Sequence, residues 1–179
     1  MKPRHAAALA LVGWWLTSLL PLMPPATLAE NSGTLIVVDS SGKEVGPYVV
    51  AYNPEAPEGA LLNFNGIWVD IPVTRNGFEN TAGYLFFEST DCSGPSYIAS
   101  NASMSFFGVI VAGDTLYYGN PATRQRIHAG SREIVDQRLG YMKCERDSFV
   151  SEEPCPSAIK IDLKSLGFEP PFSIQLGPK

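Results

Sequence analysis

The sequence predicts an all-β fold, a sandwich or a partly closed barrel, with about 8–10 short antiparallel strands and little helix. Two observations lead to this prediction. The apolar runs are short and rich in β-branched and aromatic residues, and turn signals separate them roughly every 8–12 residues. Sandwiches and barrels are the folds built from such short, regularly spaced strands.

The first residues have the layout of a signal peptide. Lys2 and Arg4 precede an apolar run over residues 6–23, and small residues follow it. We expect residues 1–29 to be removed and residues 30–179 to form a single β-rich domain. A retained membrane anchor is the competing interpretation, because the run approaches the ~20 residues that span a bilayer. The predicted location is therefore the periplasm or the extracellular space.

Removal of this leader makes the chain more acidic. The full sequence has 13 Lys and Arg against 18 Asp and Glu, a formal net charge of −5, and the leader takes two positive charges with it, which leaves −7. An acidic surface repels phosphate backbones, so nucleic acid is not an expected partner. No transmembrane segment is predicted once the leader is gone.

The domain begins with two predicted strands. Residues 34–38, "TLIVV", are mostly β-branched and are followed by the turn "DSSG". A second run, "YVVAY" at 48–52, alternates between two faces. The next segment, 53–59, contains two prolines and two acids. Because proline cannot donate to a sheet ladder, we expect this segment to be an exposed loop.

The clearest local prediction is a β-hairpin in "LLNFNGIWVDI". Asn65 and Gly66 tolerate the positive φ angles of a type I′ turn, and apolar runs flank them. Trp68 is predicted to lie half exposed on the face opposite the core. The dipeptide at 76–77 repeats the Asn-Gly turn chemistry. The predicted core-face pairs are Phe64 with Ile67 and Leu62 with Val69.

Further strands are predicted at 84–88, 104–111 and 115–118, and the turn "AGD" joins the last two. Residues 123–146 are more ambiguous. The apolar residues of "SREIVDQRLGYMKC" have spacings that a helix also uses, although Gly140 disfavours a helix. We interpret this region as a long strand or paired strands, and a helix over 131–144 is the alternative.

The C-terminal region predicts a strand, one helical turn and a final strand. "AIKIDL" at 158–163 alternates apolar and charged residues, and "KSLG" supplies a helical turn that ends at Gly167. Two prolines at 170–171 do not fit a central ladder, so the last strand is expected to begin after them. Its apolar side consists of Phe172, Ile174 and Leu176.

Three cysteines, Cys92, Cys144 and Cys155, lie in the exported part. Disulfides persist in oxidising compartments, so one internal bridge is expected and one thiol remains. The preferred pairing is Cys144 with Cys155, across the polar loop "ERDSFVSEEP". Cys92 with Cys144 is the alternative.

The stretch "FFESTDCSGPSY" places Cys92 between an acid and a serine, an arrangement that a reactive thiol would also have. However, "DCSG" at 91–94 has the same skeleton as "DSSG" at 39–42. In both, Asp is placed to accept amide hydrogen bonds and Gly to adopt the left-handed conformation. We therefore interpret both as turns. The sole histidine after the leader is His128, and no adjacent residue supports a Cys92 and His128 nucleophile pair.

No other catalytic, metal or cofactor site is predicted. The sequence contains no Gly-x-Ser-x-Gly elbow, no close Cys or His pair that would bind zinc, and no phosphate-binding glycine loop. Two carboxylates suffice for a glycosidase, and Asp and Glu are plentiful. A secreted carboxylate-dependent hydrolase therefore remains an alternative function.

The weak candidates for binding are a basic stripe and an exposed aromatic residue. If residues 124–132 are extended, Arg124, Arg126 and His128 share one face with Arg132, and an anionic ligand would suit them. A solvated strand face whose arginines pair with neighbouring acids is the simpler interpretation. Trp68, with Tyr117 or Tyr118, would suit stacking on sugars, although aromatic residues in strands usually pack in the core.

The chain resembles a group of uncharacterised exported bacterial proteins. The matching motifs are "VVDSSGKEVG", "NGIWVDIPVTRNGF", "FESTDCSGPSY" and "DLKSLGFEPPF", spread over most of the exported part. No activity, cofactor or binding residue is assigned to that group. The resemblance implies only a bacterial source and a non-catalytic role.

The predicted function is that of an exported, non-catalytic β domain, a binding module for a cell surface, envelope or matrix. A glycan or an envelope component is the suggested partner. Two alternatives stay open: the carboxylate-dependent hydrolase, which requires a cleft where two acids converge, and a protein-binding inhibitor, which requires a loop braced by a Cys144 to Cys155 disulfide.

Overall fold

A computed structural model of the chain describes residues 33–50, 58–98, 109–136, 138, 140, 142–151 and 153–178. These residues belong to one compact unit, Gly33–Lys179. Predictions for the leader, for 51–57 and for 104–108 lie outside the described residues. The described elements are strands and a single 3₁₀ helix, so the all-β prediction is confirmed. The strands form two antiparallel sheets that do not close into a barrel, which favours the sandwich.

The first sheet has six strands. Neighbouring strands are antiparallel throughout. In spatial order the strands are β13 (Ser173–Leu176), β1 (Leu35–Val38), β2 (Glu44–Val49), β3 (Gly59–Phe64), β4 (Ile67–Thr74) and β5 (Gly77–Phe78).

The second sheet has seven strands. A 3₁₀ helix (Leu163–Leu166) directly follows its strand at Cys155–Asp162. Among the described residues the two sheets contain thirteen strands, more than predicted, because very short strands such as β5 carry too few residues to show a pattern. In spatial order the strands are β11 (Met142–Arg146), β10 (Ser131–Val135), β6 (Gly83–Phe87), β7 (Ser96–Ile98), β12 (Cys155–Asp162), β9 (Thr115–Gln125) and β8 (Val109–Ala112).

The predicted hairpin between β3 and β4 is confirmed in its register. Asn65 and Gly66 form its loop with φ angles of 54° and 88°, as a type I′ turn requires. Phe64 pairs with Ile67, and Asn63 pairs with Trp68 on the opposite face. The turn before β5 differs by one residue from the Asn-Gly prediction: Thr74 pairs with Gly77, so the two loop residues are 75 and 76.

One hydrophobic cluster fills the space between the sheets. The first sheet contributes Ala60 and Ile71, both fully buried, and the second contributes Leu116, Val111 and Tyr118. The alternation of β9 places Leu116 and Tyr118 on this side and leaves the intervening tyrosine on the other. This cluster is the packing that joins the two sheets.

The second sheet also buries its opposite face, because it curls. Thr81, just before β6, donates its amide to the Val111 carbonyl (3.0 Å), and its hydroxyl accepts from the Val111 amide (2.8 Å). This contact brings β8 across to the start of β6. The curl encloses a second cluster, which includes Leu85, Phe87 and Ile110.

The ambiguous region after residue 123 consists of paired strands. β9 extends to Gln125, and β10 pairs with both β6 and β11, so the alternative of a helix over 131–144 is wrong. Gly140, with a φ of 62°, lies in the left-handed conformation between β10 and β11. The residue that weakened the helix interpretation therefore lies in the connection between two strands.

The preferred disulfide prediction is wrong, and the alternative is the one observed. Cys92 and Cys144 are bridged, with their Cα atoms 6.0 Å apart. Cys155 lies outside the bridge in β12, only 2% exposed, in a cluster with Phe86 and Ile127. Loop length favoured Cys144 with Cys155, but the sheet places β11 two strands from β6 and so brings Cys144 to the turn that follows β6.

The C-terminal predictions are confirmed. Asp162 caps the 3₁₀ helix by accepting the Lys164 amide (3.0 Å), and Gly167 ends the helix with a φ of 65°. β13 begins after the two prolines. Of the expected apolar side, Phe172 is buried, whereas Ile174 is 46% and Leu176 70% exposed.

Candidate functional site

Two concave surfaces lie on the first sheet. The smaller, with a volume of about 400 Å³, is called the Trp68 groove and is lined by residues 44–47, 61–64, 68, 166 and 168. The larger, of about 750 Å³, is called the edge cleft and is lined by residues 37, 39–42, 48, 58, 73–75 and 171–175. Both volumes fall in the range of roughly 300–1,000 Å³ that is usual for ligand sites.

β2 and β3, which both line the Trp68 groove, share only a short ladder, although Gly46 stays close to the Leu61 carbonyl. They pair only at Tyr48 with Ala60 and Val49 with Gly59. The next position on β2 is Pro47, which has no amide to donate to β3, so the ladder stops there. The strand prediction at 48–52 was therefore displaced: β2 starts at Glu44 and runs through this proline.

The groove combines an exposed aromatic ring with polar atoms. Trp68 is 57% exposed, as predicted. Asn63, opposite Trp68 in the hairpin register, accepts the Gly66 amide through its side chain (2.8 Å), which holds the tip of the hairpin. Beneath the rim, Phe64 stacks on the buried Tyr118 with ring centroids 5.4 Å apart. The aromatic surface is therefore carried by a rigid part of the fold.

The edge cleft lies where the first sheet almost returns on itself. The amide of Phe172, just before β13, donates to the carbonyl of Arg75 in the β4 to β5 turn (2.9 Å). This bond joins the two ends of the sheet at one point. Beyond it β13 pairs with β1 alone among the described strands, and the gap between β13 and β4 is the cleft.

The ionisable groups of the edge cleft are Asp39, Tyr48, Glu58 and Arg75. The Tyr48 hydroxyl donates to the Glu58 carboxylate, and this hydrogen bond, with burial, raises the pKa of Tyr48. Asp39 is 4% exposed and is held by its own turn. Arg75 is exposed and takes no part in the ion pairs found among the described residues.

Asp39 is the acid of the "DSSG" turn, and it behaves as the turn interpretation expects. Its Oδ1 accepts the amides of Ser41 and Lys43, both at 2.9 Å, and the Ser41 hydroxyl at 2.7 Å. Its Oδ2 accepts the Glu169 amide at 3.3 Å. The Ser41 hydroxyl is the main cause that lowers the pKa of Asp39, and the three amides act in the same direction against the effect of burial.

The "DCSG" turn uses the same device. Asp91 accepts the Ser93 hydroxyl at 2.6 Å, which lowers the pKa of Asp91, and Gly94 has a φ of 87°. Cys92 itself adopts a positive φ of 58°, and its sulfur is in the disulfide. The thiol is therefore consumed in the bridge, and a Cys92 nucleophile is excluded.

The basic stripe is exposed, but the structure does not bring it to either concave surface. Arg124, Arg126 and His128 are all exposed, while Ile127 and Ala129, on either side of His128, are buried. His128 forms an isolated antiparallel bridge with Val150, outside the named strands. The stripe and Trp68 are thus on different sheets, and the anion-binding role of the stripe stays a prediction.

Arg132, the last member of the stripe, fits the simpler interpretation. Its guanidinium lies 3.3 Å from the Asp147 carboxylate and 3.9 Å from that of Glu145. It also lies over the Tyr84 ring, 5.0 Å from the centroid. The Arg132 guanidinium is therefore paired with acids and an aromatic ring of its own sheet region, as the simpler interpretation expects.

Among the described residues, two acids have a raised pKa, and they lie on different sheets. Burial raises the pKa of Asp70 on β4 of the first sheet. Burial also raises the pKa of Glu133 on β10 of the second sheet, where Lys160 acts in the opposite direction. Neither residue lines the groove or the cleft. Two other acids, Asp39 and Glu58, do line the edge cleft, so the alternative of a carboxylate-dependent hydrolase stays open.

Among the described residues, no group of three or more His, Cys, Asp and Glu side chains is placed to hold a metal ion. The same part of the chain has no helix long and apolar enough to cross a bilayer. Tyr117 and Tyr118, the other suggested sugar-stacking residues, are 9% and 2% exposed and belong to the hydrophobic clusters.

Sequence reasoning missed the edge cleft. Its walls come from β1, β2, the β4 to β5 turn and β13, which are separated along the chain by up to about 140 residues. The one available signal in the sequence is the apolar alternation of the last strand, with Phe172, Ile174 and Leu176 on one side. No sequence motif around Arg75 indicates a binding site.

Comparison with family models found no match to this chain. Comparisons with curated proteins and with solved structures found no significant match either. The class of protein that the fold defines is thus an all-β sandwich with one disulfide, and its function is argued from its surfaces.

Proposed function

We propose that this chain is an exported, non-catalytic binding module for a cell surface, envelope or matrix, with the Trp68 groove as its contact surface for a glycan. The single observation that carries the proposal is the Trp68 ring, 57% exposed beside a groove of about 400 Å³. Sugar rings present an apolar C–H face and a polar rim, which such a half-exposed ring and its polar neighbours complement.

Export is supported by the layout of the leader and by the disulfide between Cys92 and Cys144. A disulfide of this kind persists in oxidising compartments and is rare in the cytosol. The resemblance to exported bacterial proteins agrees with this placement.

A non-catalytic role is supported by the state of Asp39. In the edge cleft, Asp39 accepts four hydrogen bonds, and the one from the Ser41 hydroxyl is the main cause that lowers its pKa. A general acid must instead carry a proton near neutral pH, which requires a raised pKa. The inhibitor alternative has lost its basis, because Cys144 is not bridged to Cys155.

The test is an array of glycans and envelope components probed with the full chain and with two variants. Trp68→Ala should weaken binding to the recognised component about tenfold or more, as removal of a central aromatic contact does. Tyr84→Ala is the matched control, because Tyr84 is a 47% exposed aromatic residue on the other sheet. The proposal fails if no component is bound, or if Trp68→Ala and Tyr84→Ala bind alike.

A further inference from the structure

The outer edge of β13 presents backbone groups without a strand partner in the described part of the chain. β13 is the first strand of its sheet and pairs only with β1. The amide of Gly177 donates to the Thr34 carbonyl (2.8 Å), on the β1 side. Strand amides point alternately to the two edges, so the amides of residues 173 and 175 also face β1, and those of Ile174 and Leu176 face outward.

A second bond supports this orientation. The Phe172 amide, two residues before Ile174, donates away from β1 to the Arg75 carbonyl (2.9 Å). The outward edge of β13 therefore faces the β4 to β5 turn across the edge cleft. At Phe172 the two sides are joined, and at Ile174 the cleft is open. The outward amide of Ile174 has no strand partner among the described residues. An extended strand along this edge would supply that partner.

The side chains beside this open edge are apolar and exposed. Ile174 is 46% exposed, and Leu35 and Leu176, which pair with each other in the next row, are 42% and 70% exposed. Val73 and Val37 line the same cleft. No charged residue occurs in β13, although exposed edge strands commonly carry charges that prevent pairing. An uncharged apolar strand would satisfy both the backbone and these side chains.

The charge at the joined end fixes the direction of such a strand. Arg75 lines the cleft at this end, next to Phe172. A strand antiparallel to β13 would end there with its C-terminus, whereas a parallel strand would place its N-terminal ammonium beside the guanidinium. The other charged residues of the cleft, Asp39 and Glu58, already accept hydrogen bonds from the protein.

We propose that the edge cleft binds the free C-terminal segment of a partner protein as an added antiparallel strand. The segment is extended and apolar, its backbone pairs with Ile174, and its terminal carboxylate is bound by Arg75. This role goes beyond glycan binding at the Trp68 groove and does not depend on it, because the edge cleft shares no residue with the groove.

The experiment measures fluorescence anisotropy of a labelled peptide titrated with the full chain. The peptide is an N-terminally labelled hexapeptide of alternating valine and threonine that ends in a free valine carboxylate. Its C-terminally amidated form and decanoic acid serve as competitors. The free-acid peptide should bind saturably. The affinity of the amidated form should be lower by about tenfold or more, because that form lacks the charged carboxylate that hydrogen-bonds to Arg75.

Two variants separate the two parts of the site. Arg75→Gln should lower the affinity for the free-acid peptide to that for the amidated peptide. The affinity for the amidated peptide should not change. Ile174→Pro removes the outward amide but no bond to β1, so it should fold and lose peptide binding. Ile174→Val keeps the amide and should bind as the unaltered chain does. Trp68→Ala should also leave peptide binding unchanged.

Several results would overturn the proposal. Equal affinity for the free-acid and amidated peptides would contradict the proposed contact between the terminal carboxylate and Arg75. Unchanged affinity of Arg75→Gln for the free-acid peptide would contradict it too. Unchanged peptide affinity of Ile174→Pro would contradict binding of the peptide as an added strand. Decanoic acid that displaces or replaces the peptide would identify a small apolar acid as the ligand. Loss of glycan binding with peptide binding intact would contradict only the function proposed above.

Discussion

At the residue scale, the acid of each Asp-x-Ser-Gly turn organises the chain around it. Asp39 closes its own turn and also accepts the Glu169 amide, so it fastens residues 39–43 to the segment before β13. Lys43 continues this connection: its Nζ donates to the Leu166 carbonyl (2.8 Å) and lies 4.4 Å from the centre of the Phe168 ring. A turn that the sequence explains locally thus holds two distant parts of the chain together.

We expect Asp39→Asn to destabilise the protein at neutral pH and to do so less in acid. The pKa of Asp39 is lowered in the folded state, so its charge stabilises the fold fully above the ordinary aspartate pKa of about 3.9. That stabilisation is lost as the pH falls through the lowered folded pKa. Thermal melts of both proteins between pH 7 and pH 2 measure this difference.

The control for this experiment is Asp162→Asn, which removes the charge of an exposed helix cap and keeps an oxygen that accepts the Lys164 amide. The gap in melting temperature between the unaltered chain and Asp39→Asn should narrow below about pH 4. A gap that is constant over the whole range would show that the charge of Asp39 makes no contribution.

At the element scale, the hairpin and the short ladder between β2 and β3 show two effects of sequence on a strand. The Asn-Gly pair sets the register of β3 with β4, because few dipeptides adopt two positive φ angles in succession. Pro47 acts in the opposite way and ends the pairing of β2 with β3 after two residues. The hairpin was recognised from its sequence, whereas the effect of Pro47 depended on which edge its nitrogen faces.

The disulfide joins the turn after β6 to β11 and so spans β10 between them. We expect a Cys92→Ser, Cys144→Ser double variant to be about 4 kcal/mol less stable, since the bridge closes a loop with a sequence separation of 52. Urea denaturation monitored by circular dichroism measures this change. Cys155→Ala is the matched single-cysteine variant and should keep the bridge.

Peptide mapping without reduction provides an independent check on the pairing. Cys92 and Cys144 should appear in one cross-linked fragment, and Cys155, 2% exposed, should be alkylated only after unfolding. A cross-linked fragment containing Cys144 and Cys155 would contradict the observed pairing.

At the scale of the whole molecule, stability comes from burial on both faces of the second sheet. Its inner face packs against the first sheet, and its curl covers the other face. The first sheet has only one covered face, and its far end at β13 is left exposed. Both candidate sites therefore occur on the first sheet, where backbone and apolar groups lack cover.

We expect Leu116→Ala to destabilise the protein by roughly 2–5 kcal/mol, because Leu116 is fully buried between the sheets and its removal leaves a cavity. Leu176→Ala, at a residue that is 70% exposed, should change the free energy of unfolding by less than about 0.5 kcal/mol. Urea denaturation measures both. Equal losses in the two variants would contradict the assignment of the core to the space between the sheets.

The sequence by itself determined the features that depend on neighbouring residues. These include the all-β class, the register of the hairpin at Asn65 and Gly66, the two Asp-x-Ser-Gly turns, the exposure of Trp68, and the start of the last strand after its prolines. In each of them the turn chemistry or the alternation of a few residues decides the outcome, because the interacting atoms lie within one strand or one turn.

Only the tertiary structure decided the features that depend on the order of strands in the sheets. Cys92 pairs with Cys144 because β10 inserts between β6 and β11, and the edge cleft forms because β13 returns to the β4 to β5 turn. Strand order follows from burying apolar faces of the whole chain against one another, and no local pattern carries that information. The same reason explains why Arg75 and Ile174 were not predicted to lie at one site.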